Sequence, residues 1–232
     1  MKSVNLKDAL RKTRSALVAL AVIALYTTSA LAAGSACPSG GTPAPGSKVK
    51  GGLEVDGVCV LIDVAVGGGV TVDATGALSL QSSTVSGGIG VVAGGELDLN
   101  ATTPGTGVPT GTTSKVSGGI VAPNPLDLDF WTATVNGGIN VSGPSNLSLP
   151  TFCGNNVNGS SSFSNFANPA TIGGGTAPVG APCGGNIFNG TVSLTNLTAS
   201  MGGNTIMGNL LCTNSTVIVT APNTITGKNT CY

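Results

Sequence analysis

The residues best suited to acid–base or metal chemistry in this 232-residue sequence are four acidic side chains in two short segments. They are Glu96, Asp98, Asp127 and Asp129. Paired carboxylates bind Ca²⁺ or serve as the general acid and base of glycoside hydrolysis. The simplest interpretation is that they are solvated groups on an outer face, so we expect no cofactor. Calcium is the alternative, with Asp98, Asp127 and Asp129 as weak candidate ligands.

Catalysis by these carboxylates lacks the partners that it normally needs. The sequence contains no histidine, so no imidazole is present to activate a serine or threonine as a nucleophile. Both arginines, Arg11 and Arg14, lie close to the N-terminus. No cation near the acidic residues would stabilise the charge that develops in a transition state. We predict that the protein is not an enzyme and has no catalytic residues.

Two adjacent aromatic residues, Phe130 and Trp131, follow the second acidic segment. Aromatic rings offer a broad apolar face that can stack on a flat ligand such as a sugar ring. We therefore mark Phe130 and Trp131 as a candidate binding surface. The alternative is that both side chains pack beneath a loop.

A repeat indicates the elements that must position these residues. Its unit is an aliphatic residue, any residue, two glycines and a second aliphatic residue. Copies begin at Val49, Val66, Val85, Val116 and Val135, and looser copies at Phe188, Ile206 and Ile225. Within each group the starts are 17 to 19 residues apart. Such a period is typical of a solenoid, in which each unit buries its apolar face against the next.

Alternating apolar and small polar residues fill the rest of each period and predict short strands with one buried face. The apolar residue two places after the repeat's second aliphatic is Val55, Val72, Val91, Val141 or Leu194. Leucine pairs follow at 78 and 80, 97 and 99, 126 and 128, and 147 and 149. We predict an all-β, right-handed parallel β-helix of about ten coils, roughly 45 Å long. The paired glycines would lie at corners, where positive φ is cheap. A β-sandwich with glycine-rich turns is the alternative.

Two segments break the period, residues 101–114 and residues 153–186, and we predict that both are inserted loops. If the first loop only bulges outward, the coils that begin at Val85 and Val116 are neighbours. Asp98 and Asp127 would then stack in one outward column. That separation is too short to admit the water molecule of inverting glycoside hydrolysis.

The six cysteines of the sequence are expected to form disulfides in a non-reducing environment outside the cytoplasm. Cys212 and Cys231 each lie six residues after the first aliphatic residue of a repeat, so they occupy one column on adjacent coils. Neighbouring strands place such residues about 4.8 Å apart, which suits a disulfide. The remaining pairs, Cys153–Cys183 and Cys37–Cys59, are assigned mainly by elimination. A zinc site is disfavoured, because histidine and a Cys-x-x-Cys motif are both missing.

The first 32 residues have the order of a secretory signal peptide. Basic residues come first, an apolar run from Leu17 to Leu25 follows, and Ala30-Leu31-Ala32 supplies the small residues of a cleavage site. We predict cleavage after Ala32, with a retained membrane anchor as the alternative. The protein is then exported to the periplasm, the cell surface or the medium, and meets a membrane only during export. Residues 33–47 form an N-terminal tail, and residues 48–231 form the β-helix.

Charge excludes one class of partner. After residue 32 the cations are Lys48, Lys50, Lys115 and Lys228, against eight acidic residues. Nucleic-acid binding needs a basic face that neutralises phosphate, and this sequence has none. We expect no nucleic-acid partner.

The repeats resemble those of uncharacterised exported bacterial β-helix proteins. The most specific part is the end of the chain, from Gly208 through Cys212 and Asn223 to Cys231. More distantly, the chain is similar to pectin-lyase-like β-helices and to the polymer-forming bactofilins. Pectin-lyase-like enzymes combine clustered aspartates with Arg, Lys or His, and that set is missing here, so the resemblance implies the fold and not the activity. The cytoskeletal role of bactofilins does not transfer either, because they are cytoplasmic and lack disulfides.

The sequence therefore predicts a non-catalytic, exported structural or adhesin-like protein. Its expected partner is a cell-envelope or extracellular glycan, or a second copy of itself. The alternative is a polysaccharide-binding or polysaccharide-degrading protein, which the fold resemblance and the acidic residues suggest. Fold resemblance by itself is a weak guide to activity.

Overall fold

The computed structural model describes residues 35–37, 43–102, 109–143, 149–177 and 179–232. These residues belong to one unit, Ala33–Tyr232, and form an all-β parallel solenoid of about nine turns. The predicted signal peptide and its cleavage after Ala32 lie outside the described residues, as do residues 33, 34 and 38–42 of the predicted tail 33–47. Among the described residues, no helix has the length and apolar character to cross a membrane.

Three parallel sheets run along the solenoid, and each turn visits them in the same order. Sheet 1 contains β2 Lys48–Val49, β5 Ala65–Val66, β8 Thr84–Val85, β11 Lys115–Val116, β14 Thr134–Val135, β17 Asn156–Val157, β20 Ile187–Phe188, β23 Thr205–Ile206 and β26 Thr224–Ile225. Sheet 2 contains β1 Ser35–Cys37, β3 Leu53–Val55, β6 Val70–Val72, β9 Ile89–Val91, β12 Ile120–Pro123, β15 Ile139–Ser142, β18 Ser161–Ser164, β21 Val192–Thr195 and β24 Leu210–Thr213. Sheet 3 contains β4 Val58–Ile62, β7 Ala77–Gln81, β10 Glu96–Leu99, β13 Asp127–Trp131, β16 Thr151–Cys153, β19 Ala170–Ile172, β22 Thr198–Met201 and β25 Thr216–Val219.

The predicted column of repeat residues is confirmed in sheet 1. Val116 pairs with Val85 on one side and with Val135 on the other, and all three side chains are fully buried. Thus the coils on either side of residues 101–114 are direct neighbours, as the loop interpretation required. Identical spacing from coil to coil places one side chain of each coil directly above the last, so the aliphatic residues form a continuous bore.

The predicted insertion 153–186 is largely wrong. Most of it forms a regular coil, because β17 and β18 lie within it and β19 ends at Ile172. Val157 pairs with Val135 and with Phe188, so this coil continues the sheet 1 column. The repeat was hidden there because Ser160 and Ser161 stand where other coils have the second glycine and the second aliphatic residue. Of its described residues, only 173–177 and 179–183 leave the coil path.

Ser161 is a polar residue in an apolar column. It is 2% exposed and pairs with Val192, and within the described structure its hydroxyl has no hydrogen-bond partner. We expect Ser161→Val to raise the free energy of unfolding by about 1–2 kcal/mol, because it removes an unsatisfied polar group and adds apolar burial. Urea unfolding measures this. Ser162→Val on the outer face is the control and should change stability by less than about 0.5 kcal/mol; a destabilised Ser161→Val would contradict the assignment.

The paired glycines are needed because neighbouring coils stack closely, and not because the chain adopts a positive φ there. Among the pairs at the repeat corners, only Gly51 has a positive φ, of 82°. A Cβ on Gly87 would instead lie 2.6 Å from the backbone nitrogen of Gly69 on the neighbouring coil. Backbone-to-backbone contact therefore excludes side chains here: the glycines do lie at corners, but the expectation that cheap positive φ accounts for them is wrong.

The three predicted cysteine pairs are the three disulfides of the structure. Cys37–Cys59 lies in the first coil, Cys153–Cys183 in the middle of the solenoid and Cys212–Cys231 in the last coil. At the last coil the chain end returns along β24, where the Leu210 N–H donates to the Lys228 carbonyl at 2.9 Å. The last disulfide thus fastens this final segment to the solenoid.

Candidate functional site: a buried carboxylate cluster

The acidic residues lie on two neighbouring strands of sheet 3, β10 and β13. Glu96 pairs with Asp127, and Asp98 pairs with Asp129. Because successive side chains of a strand point to opposite faces, Leu97 and Leu128 face the bore while the acidic residues face outward. The structure thus brings the predicted residues together, but the predicted stacking of Asp98 on Asp127 is wrong by two residues.

The error came from counting Leu126 and Leu128 as an inward pair. Leu126 lies in the turn before β13 and is 46% exposed, and the inward residues are Leu128 and Phe130. The next pair was shifted in the same way. Leu149 is 45% exposed, Phe152 occupies the bore instead, and residue 147 lies outside the described residues.

Three of the four acidic residues are buried and are not the solvated groups expected from the sequence. Asp98 is 0% exposed, Asp127 6% and Asp129 7%. The chain that follows β10 turns back over the outer face of sheet 3. There the Ser79 hydroxyl donates to the Ala101 carbonyl at 2.9 Å, and the Gln81 side-chain amide donates to the same carbonyl at 3.0 Å. The start of the predicted loop 101–114 is therefore a cover on this face.

A second apolar cluster continues this cover beyond the acidic residues. It consists of Ala101, Trp131, Cys153, Ala177 and Cys183. The Cys153–Cys183 disulfide fastens the segment after β19 onto the outer side of β16. Two segments of the chain thus cover the outer face of sheet 3 around β13 and β16, whereas outward residues of the end strands, such as Val58 of β4 and Ile218 of β25, are exposed.

The aromatic pair is not an exposed binding surface, which corrects that prediction. Phe130 points into the bore, where its ring meets that of Phe152 edge-on with centroids 5.1 Å apart. Trp131 points outward, yet it is only 3% exposed because it belongs to the second apolar cluster. The alternative interpretation, packing beneath a loop, describes Trp131 correctly.

The carboxylates are close enough to share a cation or a proton. One oxygen from each of Asp98, Asp127 and Asp129 lies within 4.8 Å of the other two. Calcium binds oxygen ligands at about 2.3–2.6 Å, so two of its ligands lie up to about 5 Å apart. The three residues named from the sequence therefore fit the spacing of a calcium site, and calcium binding stays a prediction.

Burial also changes the protonation of two of these groups. Loss of hydration raises the pKa of Asp127 to about 7, with further increases from Asp129 and Glu96 and an opposing backbone hydrogen bond from Leu128. Loss of hydration raises the pKa of Asp129 to about 6, against a hydrogen bond from the Thr151 hydroxyl. The cluster therefore gains negative charge as pH rises through the neutral range.

These pKa values predict that the protein loses stability as pH rises. In the unfolded chain an aspartate has a pKa of about 3.9, so between that pH and about 7 the folded state binds more protons. The stabilising contribution is complete below about pH 4 and is lost as pH rises through 6 and 7. Melting temperatures measured from pH 4.5 to pH 8 should fall across that range. Asp127→Asn should flatten the curve, whereas Asp56→Asn on the exposed surface should not. A melting temperature that rises toward pH 8 would contradict this prediction.

The sequence analysis missed a ladder of asparagines between sheet 3 and sheet 1, formed by the buried Asn155, Asn186 and Asn204 and the half-buried Asn223. The side-chain amide of each of the first three donates to the side-chain oxygen of the next, at 3.0, 3.0 and 2.9 Å. The same oxygens accept the backbone N–H groups of those three residues, each at 2.9 Å. A signal was present, since every ladder residue stands two places before an inward residue of sheet 1.

Comparisons with protein-family models, curated proteins and solved structures found no match to this chain. The geometry described above is therefore the basis for any statement about function. The resemblance to exported bacterial β-helix proteins stays a prediction beyond the parallel solenoid itself.

Proposed function

We propose that the protein is a non-catalytic structural or adhesive rod that works outside the cytoplasm, in the periplasm or at the cell surface. The observation that carries the proposal is the set of three disulfides that joins chain segments at the start, middle and end of the solenoid. Disulfides of this kind persist in non-reducing environments. They fit the exported location that the signal-like N-terminus predicts.

The carboxylate cluster supports a role without catalysis. Its three members are at most 7% exposed, so a polysaccharide chain cannot reach them in this conformation. Their oxygens lie within 4.8 Å of one another, which is less than the separation of about 6.5–9.5 Å in inverting glycosidases. The cluster is better suited to holding a proton or a cation inside the fold.

The second candidate is a polysaccharide-binding or polysaccharide-degrading protein. One observation favours it: two outward carboxylates of one sheet have raised pKa values near neutrality, at about 7 for Asp127 and about 6 for Asp129. Perturbed pKa values are common among catalytic acids and bases. For this candidate to hold, the segment beginning at Ala101 must move away from sheet 3.

Fractionation and an activity assay test the two candidates together. We expect the protein in the envelope or medium with oxidised cysteines, and we expect no reducing sugar when the purified protein is incubated with a panel of polysaccharides. Sugar release that disappears in Asp127→Asn or Asp129→Asn, but persists in Asp56→Asn, would establish the second candidate instead. Cytoplasmic protein with reduced cysteines would contradict the proposed location.

Partner binding and calcium need separate measurements. A glycan array and sedimentation of the purified protein distinguish an envelope or extracellular glycan from self-association as the interaction. A chelator should leave the melting temperature unchanged if no cation is held by the carboxylates. A fall that Ca²⁺ restores in the original protein, but not in Asp129→Asn, would assign the cluster as a calcium site.

A further inference from the structure

Three asparagine–glycine pairs form a column on the outer corner after sheet 1. They are Asn136–Gly137, Asn158–Gly159 and Asn189–Gly190, and all three asparagines are exposed. The Asn158 side-chain amide donates to the Asn136 side-chain oxygen at 2.8 Å, and the Asn189 amide donates to the Asn158 oxygen at 2.6 Å. This column is distinct from the buried asparagine ladder.

Coil stacking requires the glycine of each pair. A Cβ on Gly190, for example, would lie 2.7 Å from the backbone nitrogen of Ser160 on the neighbouring coil. An asparagine at this corner is therefore always followed by glycine. That dipeptide has a known chemical weakness, because the small residue lets the following backbone nitrogen approach the asparagine side chain.

The reaction is an intramolecular acyl transfer. The glycine backbone nitrogen attacks Cγ of the asparagine, a new C–N bond forms, and the side-chain amide leaves as ammonia with the proton of that backbone nitrogen. Water then opens the resulting cyclic imide at either carbonyl, giving aspartate or isoaspartate. Asparagine is accordingly one of the thermolabile residues of proteins.

The folded structure blocks this reaction unequally at the three sites. The N–H of Gly137 donates to the Gly118 carbonyl at 3.1 Å, and that of Gly159 donates to the Gly137 carbonyl at 3.2 Å. These hydrogen bonds direct each glycine N–H toward the neighbouring coil. They therefore hold the glycine nitrogen away from the side chain of the preceding asparagine. The N–H of Gly190 makes no hydrogen bond to any residue that the structure describes. Its nitrogen is therefore the least restrained of the three.

We propose that Asn189 is a spontaneous modification site, at which the Asn189–Gly190 pair converts to aspartate or isoaspartate while Asn136 and Asn158 are protected by the backbone hydrogen bonds of Gly137 and Gly159. The product disturbs the column. A carboxylate at position 189 would place an acceptor against the Asn158 oxygen that now receives a donor. Isoaspartate would also lengthen the backbone between β20 and β21.

Peptide mapping by mass spectrometry tests the proposal on the intact protein. The folded, oxidised protein is incubated at pH 8.5 and 37 °C for several weeks, and a reduced, denatured sample is incubated in parallel. In the denatured sample all three asparagines should convert at similar rates, because each is followed by glycine. In the folded sample we expect Asn189 to convert about fivefold faster than Asn136 or Asn158, which is the factor that one net hydrogen bond contributes.

The three sites act as controls for one another in the same digest. Conversion at Asn136 or Asn158 that equals or exceeds conversion at Asn189 in the folded sample would overturn the proposal. So would an unmodified Asn189 in folded protein after the denatured sample has fully converted. Asn189→Ser should abolish isoaspartate at this position without changing the melting temperature by more than a few degrees.

Discussion

Gly87→Ala is expected to lower the free energy of unfolding by about 3 kcal/mol, the upper range for overpacking a tightly packed site. The added Cβ would lie 2.6 Å from the backbone nitrogen and 2.7 Å from Cα of Gly69. Backbone atoms of a neighbouring coil cannot rotate aside as the end of a side chain can. Since the φ of Gly87 is not positive, the expected loss comes from contact between coils and not from local strain.

Gly90→Ala is the matched control for this prediction. Gly90 lies on the same coil, three residues further along, and no atom lies within 4 Å of the Cβ that alanine would add there. The substitution should be neutral or stabilise by up to about 1 kcal/mol, because it reduces the freedom of the unfolded chain. Chemical denaturation of both variants gives the comparison. Equal stability of the two variants would show that the coils do not approach each other as closely as described.

Asn186→Ala has the second largest expected effect, a loss of about 3 kcal/mol or more. The side-chain amide of Asn186 donates to the Phe152 carbonyl at 2.7 Å, and its oxygen accepts the Asn155 backbone N–H at 2.9 Å. Alanine would leave the buried Asn155 N–H without a partner and would remove one of the two hydrogen bonds that the Phe152 carbonyl accepts, the other being that of the Gly173 N–H at 2.8 Å. Each unsatisfied buried group costs about 1–3 kcal/mol.

The control for Asn186→Ala is Asn189→Ala on the same coil. Asn189 also makes side-chain hydrogen bonds, to Asn158 and Asn156, but it is exposed. Water can replace those bonds, so the loss should stay below about 1 kcal/mol. Both values come from urea unfolding under the same conditions. A loss at position 186 no larger than that at 189 would contradict a structural role for the buried ladder.

Sheet 1 and the last disulfide could be predicted from the sequence because stacking repeats one environment in every coil, whereas the other two disulfides were assigned mainly by elimination. Val85, Val116 and Val135 meet identical neighbours, so the same residue type recurs at constant spacing. The Cys212–Cys231 pair followed from this spacing. Where the turn lengths stay constant, the stacking of coils therefore appears in the sequence as a regular repeat.

Sheet 3 could not be predicted to the same accuracy, because the turns that lead into it vary in length. The turn before β13 contains Leu126, an exposed leucine that the sequence analysis counted as an inward residue. Because of this miscount, Asp127 was predicted as the partner of Asp98 in place of Asp129. The coil of Val157 was missed because Ser161 occupies an apolar position. Periodicity cannot reveal either exception, since both depart from the repeat.

The burial of the carboxylates also could not be predicted from the sequence. Alternation placed Asp98 and Asp129 on the outer face correctly, but it carries no information about what covers that face. The cover arises from the chain at Ala101, which returns over sheet 3 after leaving the coil path. Residues outside the repeat have no fixed register, so their position over the sheet cannot be worked out by counting along the sequence.

The central claim is that consecutive coils stack in register, and that the coils on either side of residues 101–114 are direct neighbours. It is tested most directly by the double variant Thr84→Cys with Lys115→Cys, since these exposed residues are paired on neighbouring strands. Neighbouring strands lie about 4.8 Å apart, within the range for a disulfide, whereas Thr84→Cys with Thr134→Cys spans two layers, about 10 Å. Non-reducing peptide mapping should find the 84–115 crosslink and no 84–134 crosslink. Absence of the first, or formation of the second within one chain, would contradict the stacked solenoid.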